Sequence, residues 1–174
     1  MGNDEGSDDV RDPASSKRDT LASLVPRVVL RTNNGVNYVV AEGGGGGGVR
    51  ADRTAAGPGG WEILGVANLS GGPLISGDRV AFTTSDGTHY LQAANGGGGA
   101  IGASSQTVGS WETFTIEKPG GGIIHHGDLI SLRAGDSSWY VAADGGGGAG
   151  VNVRSTSRGG WETFTILFVT PHSS

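Results

Sequence analysis

Three tryptophans are each followed by a glutamate, at Trp61-Glu62, Trp111-Glu112 and Trp161-Glu162, so the pair recurs at intervals of 50 and 50 residues. An indole joins a broad apolar face to a single N–H donor, and a carboxylate accepts hydrogen bonds. Side by side at a surface, the two suit a ligand with both C–H faces and hydroxyl groups, as a sugar ring has. Catalysis asks for more. Glycoside hydrolysis needs two carboxyl groups about 5–10 Å apart, and the only further acidic position that approaches threefold repetition reads Glu42, Asn95, Asp144. One unit therefore lacks the second acid. GxSxG, HExxH and a phosphate loop closing on Lys-Ser/Thr are all missing from the sequence. His125-His126 have no histidine or cysteine at ligand spacing, and His172 stands in the C-terminal tail, so neither metal nor cofactor is expected. The pattern points to binding rather than to an enzyme.

Each of these side chains has two readings. In Trp111-Glu112-Thr113-Phe114-Thr115-Ile116, Phe114 and Ile116 share one strand face, which should be the core. Trp111 falls in the opposite phase and is expected to point outward; the other reading has each tryptophan plugging a gap between lobes. The glutamates fall in the core phase at a strand start, where an ionised carboxylate needs partners. They either accept hydrogen bonds from sugar hydroxyls or tie down the preceding turn through backbone N–H groups. Glu42, Asn95 and Asp144 are candidate secondary sugar contacts or ordinary turn formers. Trp139 is the fourth tryptophan, with Asn37 and His89 in its place in the other units; it either widens the third site or packs locally.

The elements that must position these groups repeat with them. Tyr38, Tyr90 and Tyr140 lie 52 and 50 residues apart, and a glycine run separates each tyrosine from its tryptophan: Gly43–Gly48, Gly96–Gly99 and Gly145–Gly148. Bare backbone lets a ligand approach closely, so the runs are candidate groove walls; as tolerated surface loops they would need no such role. Within the second unit, Val80-Ala81-Phe82, Tyr90-Leu91-Gln92-Ala93, Ile101-Gly102-Ala103 and Thr113-Phe114-Thr115-Ile116 read as four short strands separated by turn residues. Three such units predict about twelve strands. A propeller needs roughly four to eight blades, whereas three four-stranded lobes can close a barrel and cap one end, which removes exposed strand edges. The predicted fold is an all-β, pseudo-threefold β-trefoil over residues 27–170, with repeats at about 27–70, 71–120 and 121–170.

Composition narrows the partners. The net charge of −5 and only two lysines, Lys17 and Lys118, argue against nucleic acid. No apolar run approaches 18 residues, so no helical membrane span is expected. Cysteine is absent, which excludes disulfides and thiolate metal sites. Residues 1–26 carry Asp4, Glu5, Asp8, Asp9, Asp12 and Asp19 among few apolar side chains, the composition of a flexible acidic tail or linker. That tail lacks the charge and apolar pattern of a signal peptide, and Gly6 stands where a myristoylation site has Ser or Thr.

The repeated unit V/I-x-L/F … G/S-x-Y-V/L-x-A … glycine run … W-E-x-F-x-I resembles the fascin-like trefoil repeat over residues 28–169, and within it carbohydrate-binding module family 92. That resemblance implies a non-catalytic module with three polysaccharide sites, for β-1,3- or β-1,6-glucans or algal galactans. It maps the sugar-binding feature onto Trp61 with Glu62, Trp111 with Glu112, and Trp161 with Glu162. It also implies an extracellular setting, a monomer, and a natural context beside a carbohydrate-active enzyme. The first unit departs from the pattern: it reads WEILGV and carries six glycines instead of four, while the Trp-Glu pair itself survives. The rival implied by the same resemblance is actin bundling. It fits poorly, because the repeats offer only Lys118 as lysine for an acidic filament.

Overall fold

The computed structural model describes residues 26–54 and 60–169. The tail read over residues 1–26 lies outside them save for Pro26, as does His172. The described residues form twelve antiparallel strands, four from each repeat. Six of them close a ring: β1 (Arg27–Arg31), β4 (Leu64–Asn68), β5 (Arg79–Thr83), β8 (Phe114–Glu117), β9 (Leu129–Ala134) and β12 (Phe164–Phe168). Each pairs with its neighbours in that order, and β1 returns to β12. The other six form three hairpins at one end: β2 (Tyr38–Ala41) with β3 (Val49–Arg53), β6 (Tyr90–Ala93) with β7 (Ile101–Ser105), and β10 (Tyr140–Ala143) with β11 (Val151–Ser155). In every hairpin the register shifts just after the tyrosine, so the same bulge bends all three. The chain is a β-trefoil, as its repeats predict.

Alternation along the barrel strands turns Phe82, Phe114 and Phe164 inward together with Leu30, Leu64, Ile116, Ile130 and Ile166, all fully buried. Phe82 and Phe114 meet with ring centroids 6.0 Å apart at 59°. Removing each such side chain from water stabilises the fold by about 1.5–3 kcal/mol, so the barrel can form from a chain of modest apolar content. Under the hairpins the core tapers to smaller residues, Ala41, Ala51, Ala93, Ala103, Ala143 and Val153.

The glycine runs join the repeats to one another. Gly46 donates its N–H to the Ala103 carbonyl and the Gly47 carbonyl accepts from the Ala103 N–H, at 2.7 and 2.9 Å. Gly98 and Gly99 make the same pair of bonds to Val153, and Gly148 and Ala149 make it to Ala51. Repeat one thus pairs with two, two with three, and three with one. This closed cycle satisfies backbone groups that the tapering hairpins would otherwise bury unpaired.

The six-glycine run of the first repeat is not an insertion. Its positions 43–48 match Asn95 to Ala100 and Gly145 to Gly150, with φ at the first four of 71, 80, 131 and 90° against 58, 77, 128 and 86° and 69, 82, 129 and 93°. The first unit's turn therefore has the same backbone as the other two. The same superposition corrects the register read from sequence: Glu42 and Asp144 align with Ala94, while Asn95 aligns with Gly43 and Gly145. Sequence alone aligned polar residue with polar residue. The left-handed backbone shows instead that Asn95 fills a position its two counterparts give to glycine, a conformation asparagine tolerates better than most residues.

Candidate functional site

Trp61, Trp111 and Trp161 are 41%, 42% and 52% exposed, so the outward expectation for the indoles agrees with where they stand. The route differs from the one the strand phase suggested. Trp111 sits in a single 3-10 turn, Ser110–Glu112, and β8 begins only at Phe114. The tryptophan backbone is fastened to the second strand of its own repeat, since the Trp61 and Trp161 carbonyls accept from Ala41 and Ala143 at 3.3 and 2.9 Å.

Each indole presents its Cδ1–Nε1 edge to the same glycine of its repeat's run. A Cβ on Gly44 would lie 3.3 Å from Trp61 Cδ1, one on Gly96 3.5 Å from Trp111 Cδ1, and one on Gly146 3.7 Å from Trp161 Cδ1. Bare backbone therefore flanks every tryptophan. Beyond that glycine the run passes beneath the first turn of the following repeat. Gly45 lies under Thr84 and Asp86, Gly97 under Trp139, and Gly147 under Thr32 and Asn34. The three candidate sites are seams: the indole comes from one repeat, and the opposite side from the next.

The glutamates turn away from this surface. Glu62, Glu112 and Glu162 are buried. Glu112 Oε1 accepts the Gly109 N–H at 2.7 Å, Oε2 accepts from Gln92 Nε2 at 2.7 Å, and Thr113 Oγ1 donates back to the Gly109 carbonyl at 2.9 Å. Glu162 and Thr163 make the same reciprocal tie to Gly159. The position equivalent to Gly109 in the first repeat is Gly59, outside the described residues, and Glu62 Oε2 there stands 3.6 Å from Arg53 Nε. Of the two readings of the glutamates, these bonds belong to the one in which the carboxylate holds the turn carrying the tryptophan.

The seams share a backbone and differ in side chains. In the first, Arg53 Cζ lies 5.3 Å from the Trp61 ring centroid, a cation–π contact on the indole face; Ser105 and Ser155 pair at the equivalent register in the other hairpins. Across the same seam His89 Nδ1 meets Asp86 Oδ2 at 2.7 Å. The Thr88 N–H, at 2.9 Å, and then the Thr84 hydroxyl, at 2.7 Å, hold the Asp86 carboxyl well below the usual carboxylate range. The third seam carries an all-neutral turn in which Asn34 Nδ2 donates to Asn37 Oδ1 at 2.6 Å and Thr32 Oγ1 donates to Asn34 Oδ1 at 2.7 Å.

The remaining sequence candidates scatter. Glu42 is half-buried and Asn95 exposed, both at the glycine turn, while Asp144 Oδ1 accepts from Asn152 Nδ2 at 2.7 Å within its own hairpin. Trp139 lies on Gly97 and Gly98, in the second repeat's run, so it borders the second site and not the third. His126 Nδ1 accepts the Phe168 N–H at 2.9 Å, and the His125 N–H donates to Asp128, both away from the indoles. Arg53 was missed in the sequence. Its only signal there was that it departs from a serine at the matching place in the other two repeats.

No family model matches the chain, and no curated protein matches it. Solved structures do. A designed threefold-symmetric protein, ThreeFoil, superposes with a TM-score of 0.62 at 16% identity, covering 81% of this chain and 97% of that one. An SDF2-like protein from Arabidopsis thaliana gives 0.62 at 9% identity, covering 82% and 92%. A Caenorhabditis elegans protein of unknown function gives 0.63 at 12%, covering 81% and 92%. At these identities the likeness carries the fold alone.

Proposed function

We propose that this trefoil is a non-catalytic carbohydrate-binding module with one site at each seam, centred on Trp61, Trp111 and Trp161. One observation carries the reading: an indole at least two-fifths exposed recurs three times, each with its Cδ1–Nε1 edge against the same glycine of its repeat's run. The same large aromatic held at the surface at the same place in all three repeats suits a repeated binding site, because an indole joins an apolar face to an N–H donor. A sugar ring supplies C–H groups for the indole face and hydroxyls for the backbone groups and turn side chains beside it. The buried glutamates serve as positioning residues, fixing the tryptophan turn rather than touching the sugar. Glu112, with both oxygens already engaged, is not placed as a general acid.

The ligand classes suggested by the repeat pattern, β-1,3- and β-1,6-glucans or algal galactans, set the first probes. A shallow site with one indole binds a short oligosaccharide at about 0.1–1 mM. Three sites related by pseudo-threefold symmetry face different directions, so a branched or networked polymer engages two of them and gains about 10²-fold by effective concentration. Affinity electrophoresis in gels cast with each polysaccharide tests the proposal. Retention by at least one gel, stepwise loss in Trp61→Ala, Trp111→Ala and Trp161→Ala, and unchanged circular dichroism are expected. Wild-type mobility in every gel, or unfolding of each variant, overturns it.

A further inference from the structure

The three seams differ most in what the following repeat contributes, and this difference assigns them unequal tasks. We infer that the seam between the second and third repeats is an extended subsite, in which Trp111 and Trp139 stack on successive units of one oligosaccharide chain. The inference rests on the carbohydrate-binding reading and deepens it at one site.

Trp111 borders Gly96, and Trp139 covers the next two glycines, with the Cβ positions of Gly97 and Gly98 at 2.7 Å from its Cδ1 and 3.4 Å from its Cζ2. Consecutive Cα atoms are about 3.8 Å apart, so the two indoles flank adjoining backbone units along one short stretch. Trp139 packs against the edge of the core yet stays only half-buried, so it is not wholly consumed by that packing. In the other seams this place belongs to polar side chains already bonded among themselves, Asp86 with His89 and Thr84, and Asn34 with Asn37 and Thr32. The third repeat has undone that cluster. Ala134 replaces the threonine, and Asp136 turns away to pair with Arg79. What remains facing the second site is aromatic surface.

Two stacked rings in line reward a longer ligand, whereas a single indole beside a polar turn does not. At the second site alone, affinity should therefore climb with chain length. The Trp61 and Trp161 sites should gain little beyond a single sugar unit.

The test uses the indole N–H resonances of the four tryptophans, assigned through single-site variants, during titration with methyl β-glucoside and then with β-linked gluco-oligosaccharides from disaccharide to tetrasaccharide. The expected result is that Trp111 and Trp139 shift together with one dissociation constant from the disaccharide upward, about tenfold tighter than that of the single glucoside at Trp111. Trp61 and Trp161 should tighten less than twofold across the same series. Trp139→His, which installs the residue found at position 89, keeps a ring on Gly97 and Gly98; it should abolish the length dependence at Trp111. Shifts at Trp61, Trp111 and Trp161 with Trp139 silent, or length dependence that survives Trp139→His, would overturn the extended subsite and leave the binding function standing. If none of the four indoles responds to any glucan probe, in a sample that polysaccharide gels also fail to retain, the binding function falls and the subsite falls with it.

Discussion

Substituting Gly45 by alanine should separate a structural glycine from a tolerated one. Gly45, Gly97 and Gly147 adopt φ of 131, 128 and 129° with ψ of 157, 167 and 160°, a region essentially reserved for glycine. Holding alanine there costs about 1–3 kcal/mol in backbone strain alone. Its Cβ would also stand 2.5 Å from Thr84 Oγ1 and 2.6 Å from Asp86 Oδ2. Neither neighbour is free to retreat: Thr84 is buried and bonded to Asp86, whose N–H is bonded to the Gly44 carbonyl at 2.9 Å. Overpacking of this kind adds about 1–3 kcal/mol, and the lower entropy of the unfolded alanine chain returns about 0.4–1 kcal/mol. The net loss is about 3 kcal/mol, or roughly 6–12 °C in Tm for a domain of this size. The control is Gly43→Asn, which copies Asn95 at φ 71° with nothing within 4 Å of the added Cβ. It should cost less than about 1 kcal/mol. Calorimetric melts of both variants at neutral pH measure the difference. A Gly45→Ala protein melting within about 2 °C of wild type, or a Gly43→Asn protein melting as low as Gly45→Ala, would refute the assignment of the run's third glycine as the joint between repeats.

Glu112→Ala should lose about 1–3 kcal/mol by removing the buried carboxylate that accepts from Gly109 N–H and Gln92 Nε2, whereas Glu112→Gln, which keeps an acceptor oxygen, should recover most of it in urea melts. Arg53→Ser places at the first site the residue that pairs with tyrosine in the other two repeats; by freeing the Trp61 face it should tighten disaccharide binding there about two- to fivefold, read from the Trp61 indole resonance. The Asp86 carboxyl is held below its unfolded value of about 3.9, so its stabilising bonds act fully above that pH and fade as pH falls from there toward the folded value. The Tm gap between wild type and Asp86→Asn should hold steady from pH 7 to about pH 5 and narrow below about pH 4; a gap that widens on acidification would contradict the sign.

Repetition and strand alternation are written along the chain, and both were legible without coordinates. The 50-residue period of Trp-Glu carries the lobe count, and the inward phase of Phe114 and Ile116 carries the barrel face, because each is a pattern of residue types along the chain and needs no knowledge of which segments meet in space. The destination of each side chain across a seam was not legible, since that is set by which repeat follows in space. Sequence assigned Trp139 to the third unit it belongs to; packing placed it on the second unit's glycines, because trefoil lobes lean on their successors. The glutamates read equally well as sugar contacts or turn ties until the Gly109 and Gly159 N–H groups appeared within 2.7 Å. The glycine runs looked alike residue by residue. Only the backbone angles, and the neighbours standing where a Cβ would go, distinguish Gly45, Gly97 and Gly147, which must be glycine, from Gly43 and Gly145, whose place Asn95 takes in the second repeat. Local pattern determines which strands form and which way they face, while contacts between residues far apart in the chain decide what each seam can hold.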